Sequence, residues 1–429
     1  MTAGAANSLT AVDAARAIRD RELSSQELVS ACLARIAERD PQVRAWRHLD
    51  PELALAQARS RDAEEPVGPL HGVPVGLKDV IDTADMPTAC GTPIHEGRRP
   101  DADARCVDLL RAAGAVILGK TVTTELATWH PAETTNPFGA SHTPGGSSSG
   151  SAAAVADEMV PLALGTQTVG STIRPAAFCG AVGMKPTYGA VDMTGVIRTS
   201  ERLDTIGLFA RHPDDIQLLL AALTDRVPLR PGGGGRARVG LVRTPWWEHA
   251  DADSRRAVEG AAAALAEAGA PVADGELPPE FDDLPEIQDL VAVTDIARNL
   301  RWEFENHPGL LSDDLRGRIE RGLATPESEY QEAVAAGDRA SEALAGVFEH
   351  FDVLLTPAVT GEAPEGLGWT GDPVFVRSWT LLGTPATTVP AAHGAHGLPV
   401  GVQMIAPAGA DGLLLAATAD LFRALGGGG

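Results

Sequence analysis

Residues Thr143 to Gly180 read TPGGSSSGSAAAVADEMVPLALGTQTVGSTIRPAAFCG, and this stretch decides the fold. Two glycines lead into three consecutive serines, Ser147 to Ser149, and the alanine run behind them is helix-compatible. A Gly/Ser stretch in isolation reads as a linker. Here ordered structure adjoins it, so the loop delivers serine hydroxyls and main-chain N–H groups to a helix N-terminus, a place suited to negative charge. The apolar run from Val160 to Leu164 then predicts a strand, and the Gly/Thr turn from Gly165 leads into a second short helix starting at Ser171. A serine in that position is most often an N-cap.

The same texture extends outward. Short β-branched runs at Val73 to Val75, Val116 to Leu118, Val239 to Val242, Val353 to Leu355 and Val400 to Met404 alternate with alanine-rich helical stretches, the pattern of an α/β protein. Thr10 with Asp13 and Ser24 with Glu27 are capping pairs, which predicts two consecutive amphipathic helices over residues 11–39. The run RPGGGGR from Arg230 to Arg236 predicts a flexible loop between lobes, and GGGG from Gly426 a frayed end. Residues 280–350 are acidic and helical in pattern, and are expected to cap the sheet. The expectation is one domain over 1–429, with a helical segment at about 1–60, a catalytic core at about 65–225 and the cap at about 280–350.

With 58 acidic against 35 basic residues the net charge is −23, which repels phosphate backbones and anionic membranes alike. Neither nucleic acid nor membrane is an expected partner. No apolar run approaches the ~20 residues of a bilayer span, and the first residues lack a basic stretch followed by an apolar one. The four cysteines, Cys32, Cys90, Cys106 and Cys179, are widely spaced, with no histidine at ligand spacing. This pattern predicts a cytoplasmic protein without a metal site.

Of the 35 basic residues only Lys78, Lys120 and Lys185 are lysine; the rest are arginine. Arginine cannot lose its proton in a protein, whereas burial can bring a lysine amine into the working range. Each of the three is therefore a candidate base or a packed, snorkelling amine. Lys78, approached by the glycine-flanked GVPVGLK, is the best base among them. A buried lysine after one strand, a Gly-Gly-Ser loop and a serine at a second strand-to-helix turn supply a base, a relay hydroxyl and a nucleophile, which serine–lysine hydrolases need without any histidine.

With GVPVGLKDV around Lys78, LRAAGAVILGKTVTTELA leading to TTNPFG, PGGSSSGSAAAVA, and GSTIRPAAFCGAVGMKPTYG, the chain resembles the amidase signature family of serine hydrolases. LDTIGLFAR, LLTPAV and LPVGVQMIAP extend the resemblance over most of the chain. It implies a central mixed β-sheet surrounded by helices and a Ser–cisSer–Lys triad. Ser171 would be the nucleophile, Ser147 the bridging serine on a cis bond from Gly146, and Lys78 the base. It further implies an oxyanion hole from the N–H groups of Thr168, Val169, Gly170 and Ser171, an acyl-enzyme intermediate, and hydrolysis of a small-molecule amide by water with no cofactor. Thr128 and Trp129 would line the substrate pocket, with Trp302 a further apolar wall. Departures from the family pattern fall at Ser149, Gln167, Val169 and in the spacing of Arg174. Gln167 and Arg174 together suggest that a carboxylate–guanidinium pair has been replaced by a neutral contact.

Competing readings remain at this point. Gly146 to Gly150 also satisfies G-x-S-x-G, which would make Ser148 the nucleophile of an α/β-hydrolase with His393 or His396 as base, but a polar turn precedes it where the elbow needs a strand. The chain is also compatible with the amide-hydrolysing component of an amidotransferase built from several different chains, or with a non-catalytic amide-binding protein. A homodimer stays open, since no segment demands or forbids it.

Overall fold

Eleven strands of the computed structural model, which describes residues 3–224 and 236–427, form one mixed sheet. In chain order they are β1 (Trp46–Leu49), β2 (Pro74–Lys78), β3 (Val116–Thr121), β4 (Leu162–Gln167), β5 (Val182–Lys185), β6 (Thr205–Ala210), β7 (Val239–Val242), β8 (Val272–Gly275), β9 (Val353–Pro357), β10 (Ala386–His393) and β11 (Pro399–Ile405). Across the sheet the order is β1-β3-β2-β4-β6-β5-β10-β11-β9-β7-β8. The parallel set β3, β2, β4 is fully buried and, as parallel strands covered on both faces do, reads as near-continuous apolar residues. Register pairs Leu77 with Leu164, so the ends of β2 and β4 bring Lys78 and Thr166 together.

The predicted strand at 160–164 is shifted. It begins at Leu162 and runs on to Gln167, because Gly165, Thr166 and Gln167 pair antiparallel with Gly207, Ile206 and Thr205 of β6. Pairing overrides the weak strand preference of a Gly-Thr-Gln segment.

The two N-terminal helices are Ala11–Arg19 and Ser25–Val43, the second opened by a full capping box between Ser24 and Glu27. Helix Ser149–Ala156 lies against β4 and against helix Ile173–Cys179; its alanines are buried up to Val155, their small side chains allowing close approach. The acidic segment forms helices Leu284–Asn299, Arg301–Asn306, Asp313–Ala324 and Glu327–His350. The first of them packs on helix Val374–Leu381.

Of the predicted loop at Arg230 to Arg236, all but Arg236 lies outside the described residues. Gly426 and Gly427 are not frayed: their N–H groups donate back to Arg423 and Phe422 carbonyls, closing helix Asp411–Ala424. The last two glycines lie outside the described residues. Among those described, no helix is long and apolar enough to cross a membrane and no cluster of three His, Cys, Asp or Glu side chains is placed to hold a metal. All four cysteines are free and buried, and burial pushes their thiols up, those of Cys32 and Cys106 to about 12.

Candidate active site

Lys78 ends β2 with no exposed surface. Its Nζ donates to Ser147 Oγ and to Thr166 Oγ1, each at 2.7 Å. Burial brings the amine down to about 7, the negative charge of Asp204 acting weakly the other way. Both partners are hydroxyls, which can donate as well as accept, so a neutral amine here faces protons it can take.

The Gly146–Ser147 peptide bond is cis. The carbonyls of both residues are held: Arg174 Nη2 donates to Gly146 O at 2.8 Å, and Thr124 N donates to Ser147 O at 3.2 Å. Gly145 has φ +79°, a conformation that L side chains avoid, and a Cβ there would lie 2.9 Å from Pro175 Cα. Beyond Thr124 the chain turns through Leu126 (φ 47°) and Ala127 (φ 59°), two left-handed non-glycine residues costing roughly 1–3 kcal/mol each. Two of the six left-handed non-glycine residues among those described thus lie just after Thr124, whose N–H holds the serine loop.

Ser171 is joined to this pair through the main chain, Ser148 N donating to Ser171 O at 3.3 Å. Its Oγ takes part in no hydrogen bond among the described residues. Ser171 is also not an N-cap: the cap of helix Ile173–Cys179 is Thr172, and the side chain that satisfies the helix start is Gln167, whose Oε1 accepts from Thr172 N at 2.8 Å and Ile173 N at 3.0 Å. The N–H groups of Val169, Gly170 and Ser171 find no acceptor among the described residues. Branched Val169 fits because its side chain turns into the core, where it is buried. Gly170 is required: a Cβ would sit 2.2 Å from Val376 Cγ2.

Ser148 is placed differently from Ser147. It has no exposed surface, donates to Thr166 O at 3.2 Å and accepts from Thr166 N at 3.3 Å, tying the serine loop to β4. His393, at the end of β10, and His396, on the turn after it, are exposed, the latter on Glu362. Gln167 and Arg174 each contact neutral partners and not each other. Gln167 Nε2 donates to Thr380 Oγ1 at 2.9 Å, and Arg174 donates to Gly371 O, Gly146 O and Thr370 Oγ1. Ser149 opens its helix and reaches Val122 O at 3.5 Å.

Lys120 and Lys185 are as buried as Lys78 but bond differently. Lys185 donates to Pro186 O and Thr384 O, and Lys120 to Ile81 O and Thr88 Oγ1. Thr128 donates to Glu125 O at 2.6 Å, and Trp129 is half-buried beneath Arg318, whose Cζ lies 4.1 Å from the ring centroid. Trp302 is not an apolar wall: it is 54% exposed, stacked on His95 and meeting His307 edge-on. The amphipathic pattern of residues 280–350 placed it on a helix but not on a face.

Sequence reasoning missed Thr166, Asp204, Gln288 and Thr380. Thr168 Oγ1 donates to Asp204 Oδ1 at 2.5 Å, and Asp204 also accepts from Thr199 N and Ser200 N. Gln288 Nε2 donates to Thr168 O at 3.2 Å and Thr380 Oγ1 to Val169 O at 2.9 Å. Only Thr166 lies within the stretch from Thr143 to Gly180, 18 residues after the Ser148 it pairs with.

A mixed sheet enclosed by helices, with a lysine, a cis serine loop and a strand-to-helix turn at its parallel strand ends, is the architecture of an amide-cleaving enzyme. The chain belongs to the Amidase family, whose profile matches residues 27–415. It is 36% identical to a glutamyl-tRNA(Gln) amidotransferase subunit of Acidothermus cellulolyticus over 97% of this chain and 94% of that protein. Among solved structures it resembles the peptide amidase of Stenotrophomonas maltophilia (30% identity, 96% of each chain, TM-score 0.81). It also resembles 6-aminohexanoate cyclic dimer hydrolase in complex with its substrate (28% identity, 97% of each chain, TM-score 0.86). An enzyme acting on C–N bonds is the class these likenesses define.

Proposed function

We propose that the chain hydrolyses a small-molecule amide through Ser171, Ser147 and Lys78, with an acyl-enzyme intermediate. The observation that carries this reading is the buried Lys78 amine, brought down to about 7 and placed 2.7 Å from Ser147 Oγ. Neutral Lys78 takes the Ser147 proton as Ser147 takes that of Ser171, and Ser171 Oγ attacks the amide carbon. The tetrahedral oxyanion is received by the N–H groups along Thr168 to Ser171, each such donor typically worth ~3 kcal/mol in the transition state. The proton then returns through Ser147 to the leaving nitrogen, and water releases the acid from Ser171. Thr128 and Trp129 border the acyl side. In this reading neither metal nor organic cofactor takes part, and the enzyme works in the cytoplasm, alone or as a homodimer.

A fluorophosphonate probe followed by peptide mass spectrometry tests it. Labelling is expected at Ser171; labelling at Ser148, or none with an amide panel also uncleaved, overturns it. The likeness to one chain of an amidotransferase favours a second reading, in which the same chemistry serves a partner that uses the released ammonia. Autonomous turnover by the purified chain supports the free hydrolase, and a tight, salt-resistant partner in a pull-down supports the amidotransferase reading.

A further inference from the structure

A peptide unit is planar and trans, so its C=O and the N–H of the next residue point in opposite directions. Holding the oxygen therefore aims the N–H. Along the turn before Ser171, three successive carbonyls are held. Thr168 O accepts from Gln288 Nε2 at 3.2 Å, Val169 O from Thr380 Oγ1 at 2.9 Å, and Gly170 O from Arg174 N at 3.1 Å. The three N–H groups aimed by these contacts are those of Val169, Gly170 and Ser171.

The third contact is the ordinary first turn of a helix. The other two come from far along the chain, from helix Leu284–Asn299 and helix Val374–Leu381. Both side chains are buried, Gln288 completely. The hydroxyl of Thr380 is itself oriented: Gln167 Nε2 donates to it at 2.9 Å, which leaves its own hydrogen for an acceptor, and Val169 O is the nearer of the two it faces, Val376 O lying at 3.4 Å. An ionised aspartate at position 167 has no hydrogen to give and does not orient Thr380 this way. Gln167 thus has a specific task, at the head of a relay from Gln167 to Thr380 to Val169.

We infer that Gln288, Thr380 and Gln167 are positioning residues that aim the oxyanion-binding N–H groups of this enzyme. The inference rests on the hydrolase reading above. None of the three touches the reacting atoms. They act through the peptide planes of residues 168–170, while Asp204 holds the Thr168 side chain at the entrance of the same turn.

The test compares Thr380→Val, Thr380→Ser and Gln288→Leu with the wild type on one cleaved amide. Thr380→Val keeps the shape and loses the hydroxyl; kcat is expected to fall roughly 10- to 100-fold, short of the 10²–10³ for deleting an oxyanion donor, with KM within about twofold. Thr380→Ser is expected to restore kcat to within about threefold. A boronic acid that mimics the tetrahedral adduct is expected to lose affinity in parallel with kcat across the series. Wild-type kcat in Thr380→Val and in Gln288→Leu overturns the inference while leaving the hydrolase reading intact. So does a loss that serine fails to rescue, or one that tracks the unfolding temperature. A wild type that cleaves no amide and takes no fluorophosphonate at Ser171 removes the hydrolase reading itself.

Discussion

Lys78 and Lys185 are two fully buried amines at the ends of β2 and β5, and burial brings both down to about 7. Their surroundings differ in one respect. Lys78 donates to the hydroxyls of Ser147 and Thr166, whereas Lys185 donates to the carbonyls of Pro186 and Thr384, the latter at 2.5 Å. A neutral amine has two hydrogens and one lone pair; carbonyls satisfy the hydrogens, but only a hydroxyl can offer a proton to the lone pair. Low proton affinity is thus common to both sites. The ability to pass a proton belongs to the first alone, and it comes from the partners rather than from the depth of burial.

The sharpest way to break this comparison is to exchange the bases. Lys78→Arg is expected to lower kcat by at least ~10³-fold, near the upper range for removing a general base, because arginine stays charged. Retained amide turnover in that variant refutes the role of Lys78. Lys185→Met is expected to keep kcat within a few-fold of the wild type. It leaves two buried carbonyls without their donor, at roughly 1–3 kcal/mol each, read as a lower unfolding midpoint in denaturant.

Less drastically, Thr166→Val removes one of the two hydroxyls on Lys78 while leaving Ser147, and a drop of about tenfold in kcat is expected, below the ~10²–10⁴ for removing a proton-transfer group itself. The pH dependence sharpens the contrast further. The rate should rise as Lys78 deprotonates near pH 7, and that limb should be unmoved in Lys185→Met. Stability is linked to both lysines alike, and Lys185 shows the effect apart from any role in the rate. Between about 7 and the ordinary 10.5, Lys185 is neutral in the folded chain but protonated in the unfolded one, so its contribution to stability rises with pH across that window. The unfolding free energy of Lys185→Met relative to wild type should therefore fall as pH is raised from 7 to 10.5, and a flat difference contradicts the assignment. The smallest effect is expected at the pocket edge: Arg318→Gln removes the cation above Trp129, about 0.5–1 kcal/mol, and should change KM by no more than a few-fold.

Lys78 stood out by residue type because lysine is rare in this chain, whereas Ser147 and Ser171 were singled out by the family resemblance, their blocks alone reading as a linker and an N-cap. Six interior strands, β2, β3, β4, β7, β9 and β11, were visible as short apolar runs, whereas interior β5, β6 and β10, interrupted by glycine, threonine or proline, were not. β1, with Arg47 and His48, and β8, with exposed Ala273 and Asp274, are short edge strands with no such signal. Adjacent serines share a composition: the resemblance chose Ser147 over Ser148, and the coordinates add which way each points, Ser147 Oγ to Lys78 and Ser148 Oγ to Thr166 O. Gln167 stood out as a departure, but its partner Thr380 lies 213 residues away, and Gln288 reaches Thr168 across 120. Neither contact has a local pattern to betray it. Gly170 was legible only as part of a Gly/Thr turn, and what requires glycine there is Val376, which leaves no room for a Cβ.

The chain order of these contacts has a consequence for biosynthesis. Lys78, Ser147 and Ser171 leave the ribosome well before Gln288 and Thr380, and β5 must wait for β10, the tenth of the eleven described strands in chain order. A chain made only through β6 therefore carries the three proposed reacting groups in a sheet that still lacks β7 to β11, with Thr168 O and Val169 O unheld. On the hydrolase reading, the turn before Ser171 is aimed only after helices Leu284–Asn299 and Val374–Leu381 have been made and packed against it.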